Sequence, residues 1–197
     1  MSLHAFHRAT LPVSPWKNGG GSTCEIACWP QGAGLVDFGW RVSIACIAQS
    51  GPFSVFEGVD RHIMLLDGGG VQLQSKASGL DHALVVPHVP FAFSGDETIH
   101  GTLRGGASSD FNVMTRRGLW RAEVAVLEQA STVAPSEHGV LLALDGHWHA
   151  HAGGGAAPSS LAAGAGWCWT DAAHAWQLTP QAPGARLVLV RLVKDLF

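Results

Sequence analysis

Residues Trp40–Ala48 read WRVSIACIA, and this stretch decides the fold class. Trp40, Val42, Ile44, Cys46 and Ala48 fall on one side of an extended chain. Arg41, Ser43, Ala45 and Ile47 fall on the other. A period of two held over nine residues is a strand, and no 3.6-residue stripe accounts for it.

The neighbouring segments repeat the signal. Cys24–Trp29 (CEIACW) alternates, and Arg61–Leu66 (RHIMLL) reads as a buried strand closed by the turn Asp67–Gly70. Ala83–Phe93 (ALVVPHVPFAF) reads as a strand interrupted by prolines, which places it at an edge or a turn. In Asp110–Arg116, Asn112 and Met114 share one face while Phe111 and Val113 share the other. Val140–Leu144 and Ala185–Val193 are nearly continuous apolar runs, suited to strands covered on both faces. Only the segment near Thr170–Ala175 offers a short helical turn. The pattern predicts an all-β chain of short strands and glycine-rich turns, a sandwich or barrel.

An internal echo points to duplication. Leu66-Asp67-Gly68 follows one apolar strand and Leu144-Asp145-Gly146 follows another, with similar spacing to Leu80 and Leu161. The tripeptide alone is a common hairpin turn. The division expected from it is 1–118 and 119–197, two halves sharing an interface, since no Pro-, Ser- or charge-rich linker separates them.

Composition narrows the class. Of 197 residues 47% are hydrophobic and 14% charged, so the chain folds around a core. The net charge of -3 and the lack of any basic block argue against nucleic acid as the main partner. The start carries no apolar signal region, and the small-residue stretch Ala156–Trp169 is interrupted by Pro158 and too polar to span a bilayer. The expectation is a soluble cytoplasmic protein with no membrane partner and with Cys24, Cys28, Cys46 and Cys168 reduced. Cys24 and Cys28 have a clipping distance between them, but no second close pair completes a zinc set.

Ser14–Ile26 reads SPWKNGGGSTCEI, and its glycine run beside Lys17 invites a phosphate-loop reading. That loop needs Lys and Ser or Thr after the glycines and a helix behind them. Here Lys17 comes first and a strand follows, so the free amides of a helix start are missing. Two readings remain: a tight turn with glycines at positive φ, or a run that lets backbone approach a ligand, with Asn18 and Glu25 displayed beside it.

Arg41 and Ser43 share a strand face, Arg61 opens the strand after a turn, and Asn112 and Met114 share a third face. Two guanidiniums, a hydroxyl and an amide pointing into one barrel suit a small carboxylate, which Arg holds by a two-pronged charged hydrogen bond. Trp16 and Phe53 are candidate walls. The alternative is that both arginines pair internally with Glu25, Glu57 or Asp60. No nucleophile elbow is present, and Glu25 beside an arginine is at most permitted as a general base.

Four stretches in order, Trp16–Ile26, Trp40–Leu73, Pro90–Asp96 and Asp110–Gly118, resemble the HutD/Ves family. The resemblance implies a bicupin, two cupin-like β-barrels or jelly rolls packed together. It also implies, for the HutD branch, a role in bacterial histidine utilisation: binding an intermediate such as N-formyl- or N-formiminoglutamate and limiting pathway output. The Ves branch is tied to cold and stress response. Many cupins hold a metal through a His-x-His pair, a Glu and a further His. This chain departs from that pattern, with Ser54 and hydrophobes at the pair, Arg61 near the Glu position, and Phe91 and Phe93 at the last His. A first-half metal site therefore reads as lost, and no cofactor is expected. In the second half His147, His149 and His151 alternate in GHWHAH, so on a strand they point one way. The run follows the Asp-Gly turn and has no nearby Glu, which favours exposed hairpin histidines over a metal site.

The expected function is a non-enzymatic protein that binds a small anionic metabolite, urocanate included, and regulates histidine utilisation. Arg61, Arg41, Asn112, Ser43, Asn18, Glu25, Met114 and Phe53 are its candidate ligand-binding residues. The alternatives are a hydrolase or isomerase acting on such an acid, metal-free or using the histidine triplet, and a protein-interaction regulator with a vestigial barrel. Self-association as a homodimer is open.

Overall fold

A computed structural model of the chain describes residues 2–153, 159–171 and 174–195. The period-two segments become strands, as expected from burial of alternate side chains. In chain order they are β1 (Ser2–His7), β2 (Val13–Pro15), β3 (Gly21–Trp29), β4 (Trp40–Ile47), β5 (Gly51–Pro52), β6 (Val59–Gly68), β7 (Val71–Gln74), β8 (Asp81–Leu84), β9 (Phe91–Ser94) and β10 (His100–Leu103). Then follow β11 (Ser108–Arg116), β12 (Trp120–Leu127), β13 (Ser131–Ser136), β14 (His138–Asp145), β15 (His147–Ala152), β16 (Ser159–Ala162), β17 (Ala165–Thr170), β18 (His174–Pro180) and β19 (Arg186–Lys194). The helical content among the described residues is one 3-10 turn, Arg8–Thr10, begun by His7, whose ring Nδ1 accepts the Ala9 N–H.

Two compact units result, Pro12–Arg121 with the residues from Asp195, and Met1–Leu11 with Ala122–Lys194. The first contains a six-stranded sheet in the order β2-β3-β4-β11-β6-β9 and a four-stranded sheet β5-β10-β7-β8. The second contains β1-β17-β14-β19-β12 and β13-β18-β15-β16. The order β4-β11-β6-β9 with β5-β10-β7-β8 thus recurs eight strands later as β12-β19-β14-β17 with β13-β18-β15-β16. Each set is an antiparallel jelly roll. Outside the repeat, β3 and β2 extend the first half beyond β4, and β1 extends the second beyond β17.

The structure refines three expectations. The division at 118/119 puts the first residues in the first half, whereas β1 pairs with β17 in the second, Leu3 opposite Trp169. The stretch Ala83–Phe93 is two strands: β8 stops at Leu84 and the edge strand β9 starts at Phe91, because Pro87 and Pro90 have no N–H to give a ladder and His88 takes a positive φ of 64°. Where a helical turn was expected, Thr170 closes β17 and His174 opens β18; residues 172 and 173 lie outside the described residues, as do 156–158 of the small-residue stretch.

The cores differ in kind. The first half buries one cluster of Ile47, Ile63, Leu65, Val71, Leu73, Leu84 and Ile99 and a smaller one of Phe38, Val59 and Met114. The second fills its interior with Trp148, Trp169 and Trp176 among Leu141, Leu161, Leu178, Leu187 and Leu189. No helix among the described residues is long and apolar enough to cross a membrane.

Candidate functional site

The first half holds a cavity of about 720 Å³. Its floor is one face of the six-stranded sheet, and register explains which side chains arrive there. Glu25 on β3 lies opposite Ser43 on β4, Ser43 opposite Asn112 on β11, and Asn112 opposite Ile63 on β6. The adjacent row runs Arg41, Met114, Arg61, Phe93. Neighbours in a ladder share a face, so the alternation that put Arg41 and Ser43 together also aligns them with Asn112 and Arg61. A bulge between Glu25 and Ala27 re-phases β3 at the edge of this floor.

All eight candidates, Arg61, Arg41, Asn112, Ser43, Asn18, Glu25, Met114 and Phe53, line this one cavity, with Trp16 beside them. The glycine run closes the β2–β3 hairpin at its rim. Gly19 has a φ of 70°, and the Asn18 side-chain oxygen accepts the Gly20 N–H at 3.0 Å. A side chain at Gly21 would begin 2.2 Å from the Cys46 carbonyl oxygen, so this glycine serves close packing against β4. The run is a turn that carries the rim, as the first of the two readings has it, and the close approach it allows is to β4.

The two arginines separate. Arg41 donates from Nε to Glu25 Oε2 at 2.7 Å, so it pairs internally at its stem side. Asp60, a possible partner for Arg61, is taken instead by Arg117 at 2.7 Å. Arg61 is 8% exposed and meets no carboxylate among the described residues. Its Nη2 donates to Asn112 Oδ1 at 3.3 Å and its Nη1 to the Ser54 carbonyl at 3.4 Å, both neutral acceptors, and its buried Nε has no hydrogen-bond partner. Asn112 is fixed in turn, its amide donating to the Asp110 carbonyl at 3.1 Å. Burial, and secondarily the charge of Arg41, push the Arg61 guanidinium down to about 10, so it remains a cation at neutral pH.

The ionisable lining is Lys17, Arg41 and Arg61 against Glu25, three cations to one carboxylate, a net charge of +2. Such a cleft attracts anions. The apolar lining comes from Ile47, Ile63, Met114, Phe53, Phe56, Trp16 and Leu35. Lys17, Thr23, Leu35, Ser54, Phe56 and Ile63 were not among the sequence candidates. Ile63 and Thr23 follow from alternation once the floor is known. Leu35, Ser54 and Phe56 sit on loops, where no period fixes direction.

His147 and His149 are exposed on β15 and His151 is half-buried, on the face opposite the buried Trp148, Ala150 and Ala152. Among the described residues no group of three His, Cys, Asp or Glu side chains is placed to hold a metal ion. Cys24, Cys28, Cys46 and Cys168 are in no disulfide among the described residues. Burial, then the Glu25 carboxylate, raises the Cys28 pKa, which keeps it a thiol.

Comparison with known proteins agrees with this architecture. A cupin barrel-domain protein from Leptotrichia buccalis superposes with a TM-score of 0.60 at 9% identity over 95% of each chain, a likeness of fold alone. A conserved protein of unknown function from Pseudomonas aeruginosa PAO1 superposes at 0.87, with 36% identity over 98% of this chain and all of that one. HutD from Pseudomonas fluorescens SBW25, solved in a formate condition, superposes at 0.81, with 27% identity over 98% of this chain and 99% of that one. Protein Ves of Citrobacter koseri is 41% identical over 177 residues, 89% of this chain and 87% of its own length. The HutD family model matches residues 8–188. With its two cupin-like barrels, this chain belongs to the HutD/Ves family.

Proposed function

We propose that the first-half cavity binds a small organic carboxylate without turning it over, and that binding regulates histidine utilisation. The metabolite class is an acidic intermediate of histidine breakdown, such as N-formylglutamate, N-formiminoglutamate or urocanate. One observation carries the reading: Arg61 is a buried cation with no carboxylate partner and an unoccupied Nε–H, set in a cavity of net charge +2. A buried charge without a counter-ion is destabilising by several kcal/mol. Such a group is retained where an arriving anion completes it. The histidine-pathway assignment is supported by the family, and the anion class by the side chains.

Thermal-shift and calorimetric titrations with N-formylglutamate, N-formiminoglutamate, urocanate and formate test this. Each charge-assisted bond contributes roughly 1.5–3 kcal/mol, so at least one acid is expected to bind in the micromolar range. Arg61→Met is expected to weaken it by roughly ten- to a hundredfold. Removing an unneutralised cation should leave the melting temperature of the free protein no lower. An Arg61→Met protein that binds as tightly as its parent removes the assignment, and turnover of any of the acids replaces binding with catalysis.

A further inference from the structure

Arg61 keeps its charge without a carboxylate, and its surroundings show what stands in. Its guanidinium carbon lies 4.9 Å from the ring centre of Phe93, 5.5 Å from Phe56 and 5.7 Å from Phe53. All three are within the roughly 6 Å reach of a cation–π attraction. Each ring is placed by contacts that do not involve Arg61. Phe93 stands opposite it in the β6–β9 ladder, backed by Phe91 at 6.1 Å, which itself stacks on His82 at 3.6 Å. Phe56 meets Phe38 edge to face at 6.4 Å and donates its N–H to the Gly95 carbonyl at 2.8 Å. Two residues on, the Gly58 N–H donates to Asp96, which Arg117 holds at 3.0 Å. Phe53 donates its N–H to the Ile99 carbonyl at 2.8 Å.

A carboxylate and a ring compensate a guanidinium in different ways. A carboxylate takes the N–H edge and neutralises the charge. A ring attracts the cation through its negative face and takes no N–H. The unpartnered Nε is the consequence. We propose that Phe93 and Phe56, with Phe53, replace a counter-ion: they hold Arg61 ionised and fixed while leaving its N–H edge for an incoming carboxylate. This rests on reading the cavity as an anion site, and makes Phe93 and Phe56 positioning residues of that site. Phe93 stands beside Arg61 in the floor row but is not among the side chains that line the cavity, and the Arg61→Met background shows whether a change there acts through Arg61.

Fluorination separates this from packing, because it drains the ring's negative face while nearly preserving its shape. The first measurement needs no ligand. Urea unfolding compares Phe93 with 3,4,5-trifluorophenylalanine at position 93, in the parent and in Arg61→Met. The midpoint is expected to fall in the parent and stay unchanged in Arg61→Met. An equal shift in both backgrounds overturns the proposal. The second measurement titrates N-formylglutamate and formate into the mono-, di- and trifluoro proteins. Affinity is expected to fall stepwise, to about tenfold weaker in the last. Phe93→Glu supplies the missing carboxylate and is expected to lose binding while melting no lower than the parent. Affinity unchanged through the fluorine series overturns the proposal, whether or not Phe93→Glu folds. If the parent binds neither of these acids nor N-formiminoglutamate or urocanate, the anion-site reading fails, and the ligand-free cycle still decides whether the rings hold Arg61.

Discussion

Arg61 in the first half and Gly139 in the second occupy the same place in the repeated jelly roll. The anchor is a shared bulge. The β6–β11 register jumps between Asp67 opposite Ser109 and Leu65 opposite Asp110, and the β14–β19 register jumps between Asp145 opposite Arg186 and Ala143 opposite Leu187. Counting from it, Arg61, Asn112 and Asp110 correspond to Gly139, Leu189 and Leu187, and Phe93 to Trp169. A side chain at Gly139 would begin 2.2 Å from the Trp169 ring, so the glycine seats that indole. Trp169 packs on Trp176 at 5.2 Å and donates its N–H to the Ser136 carbonyl at 2.9 Å. Met114 corresponds to Arg191, whose charge is met internally by Glu123. One topology therefore serves two ends. An apolar row with a tryptophan gives a filled interior that stabilises, and a polar row with phenylalanines gives a cavity that holds a charge.

If the second half is the filled one, emptying it should cost most. Trp148 is fully buried in that interior. Trp148→Ala is expected to destabilise by roughly 3–5 kcal/mol, read from urea unfolding. A loss below about 1 kcal/mol would mean the second interior tolerates a void, and the contrast between halves would dissolve.

The next largest effect sharpens the polar side. Asp110, at the position of Leu187, is fully buried; Ser108 donates to its Oδ1, and its Oδ2 has no partner. Burial, reinforced by Asp67, pushes its pKa up to about 7 from 3.8. The folded state therefore holds a proton that the unfolded chain releases near pH 4. Asp110 costs nothing below that pH, costs progressively more as pH rises to about 7, and its penalty is constant above. Asp110→Asn removes the titration. The difference in stability, variant minus parent, should rise across this window by at most about 4 kcal/mol. Urea midpoints at several pH values check it. Taking the difference cancels the buried His62 and His138, whose lowered pKa values act in the opposite direction. A difference that is flat with pH would show Asp110 ionised in the fold.

The contrast between halves was partly legible in the sequence. Alternation in Trp40–Ala48 fixed that Arg41 and Ser43 share a face, because a strand allows no other choice. Glu25 was legible as a candidate partner and does hold Arg41, but the surroundings of Arg61 were not, since Asp60 is adjacent to Arg61 in sequence yet bonds Arg117. Pairing depends on which strand lies alongside, and that is a long-range choice. The same cause hid the pairing of β1 with β17 and moved the expected division at 118/119. The repeat shows in the sequence only as Leu-Asp-Gly, because the bulge constrains backbone at Leu66 and Leu144 while the interior side chains differ, polar in the first half and apolar in the second. Phe93 was readable as a strand residue, but its contact with Arg61 required the β6–β9 register.

The smallest expected effect sits on the outside of the filled half. His149 is exposed on β15, opposite Ser160 on one side and Thr179 on the other, with no ring or ion-pair contact among the described residues. A surface side chain without such a contact contributes within about 0.5 kcal/mol. His149→Ala should therefore leave unfolding and acid binding unchanged. Elemental analysis of untagged protein is the sharper measurement, because alternate histidines on a strand share a face and can take up nickel or zinc. Stoichiometric metal that disappears with His149 would place chemistry in the second half. The division between a half that stabilises and a half that binds would then have to be redrawn around the histidine run.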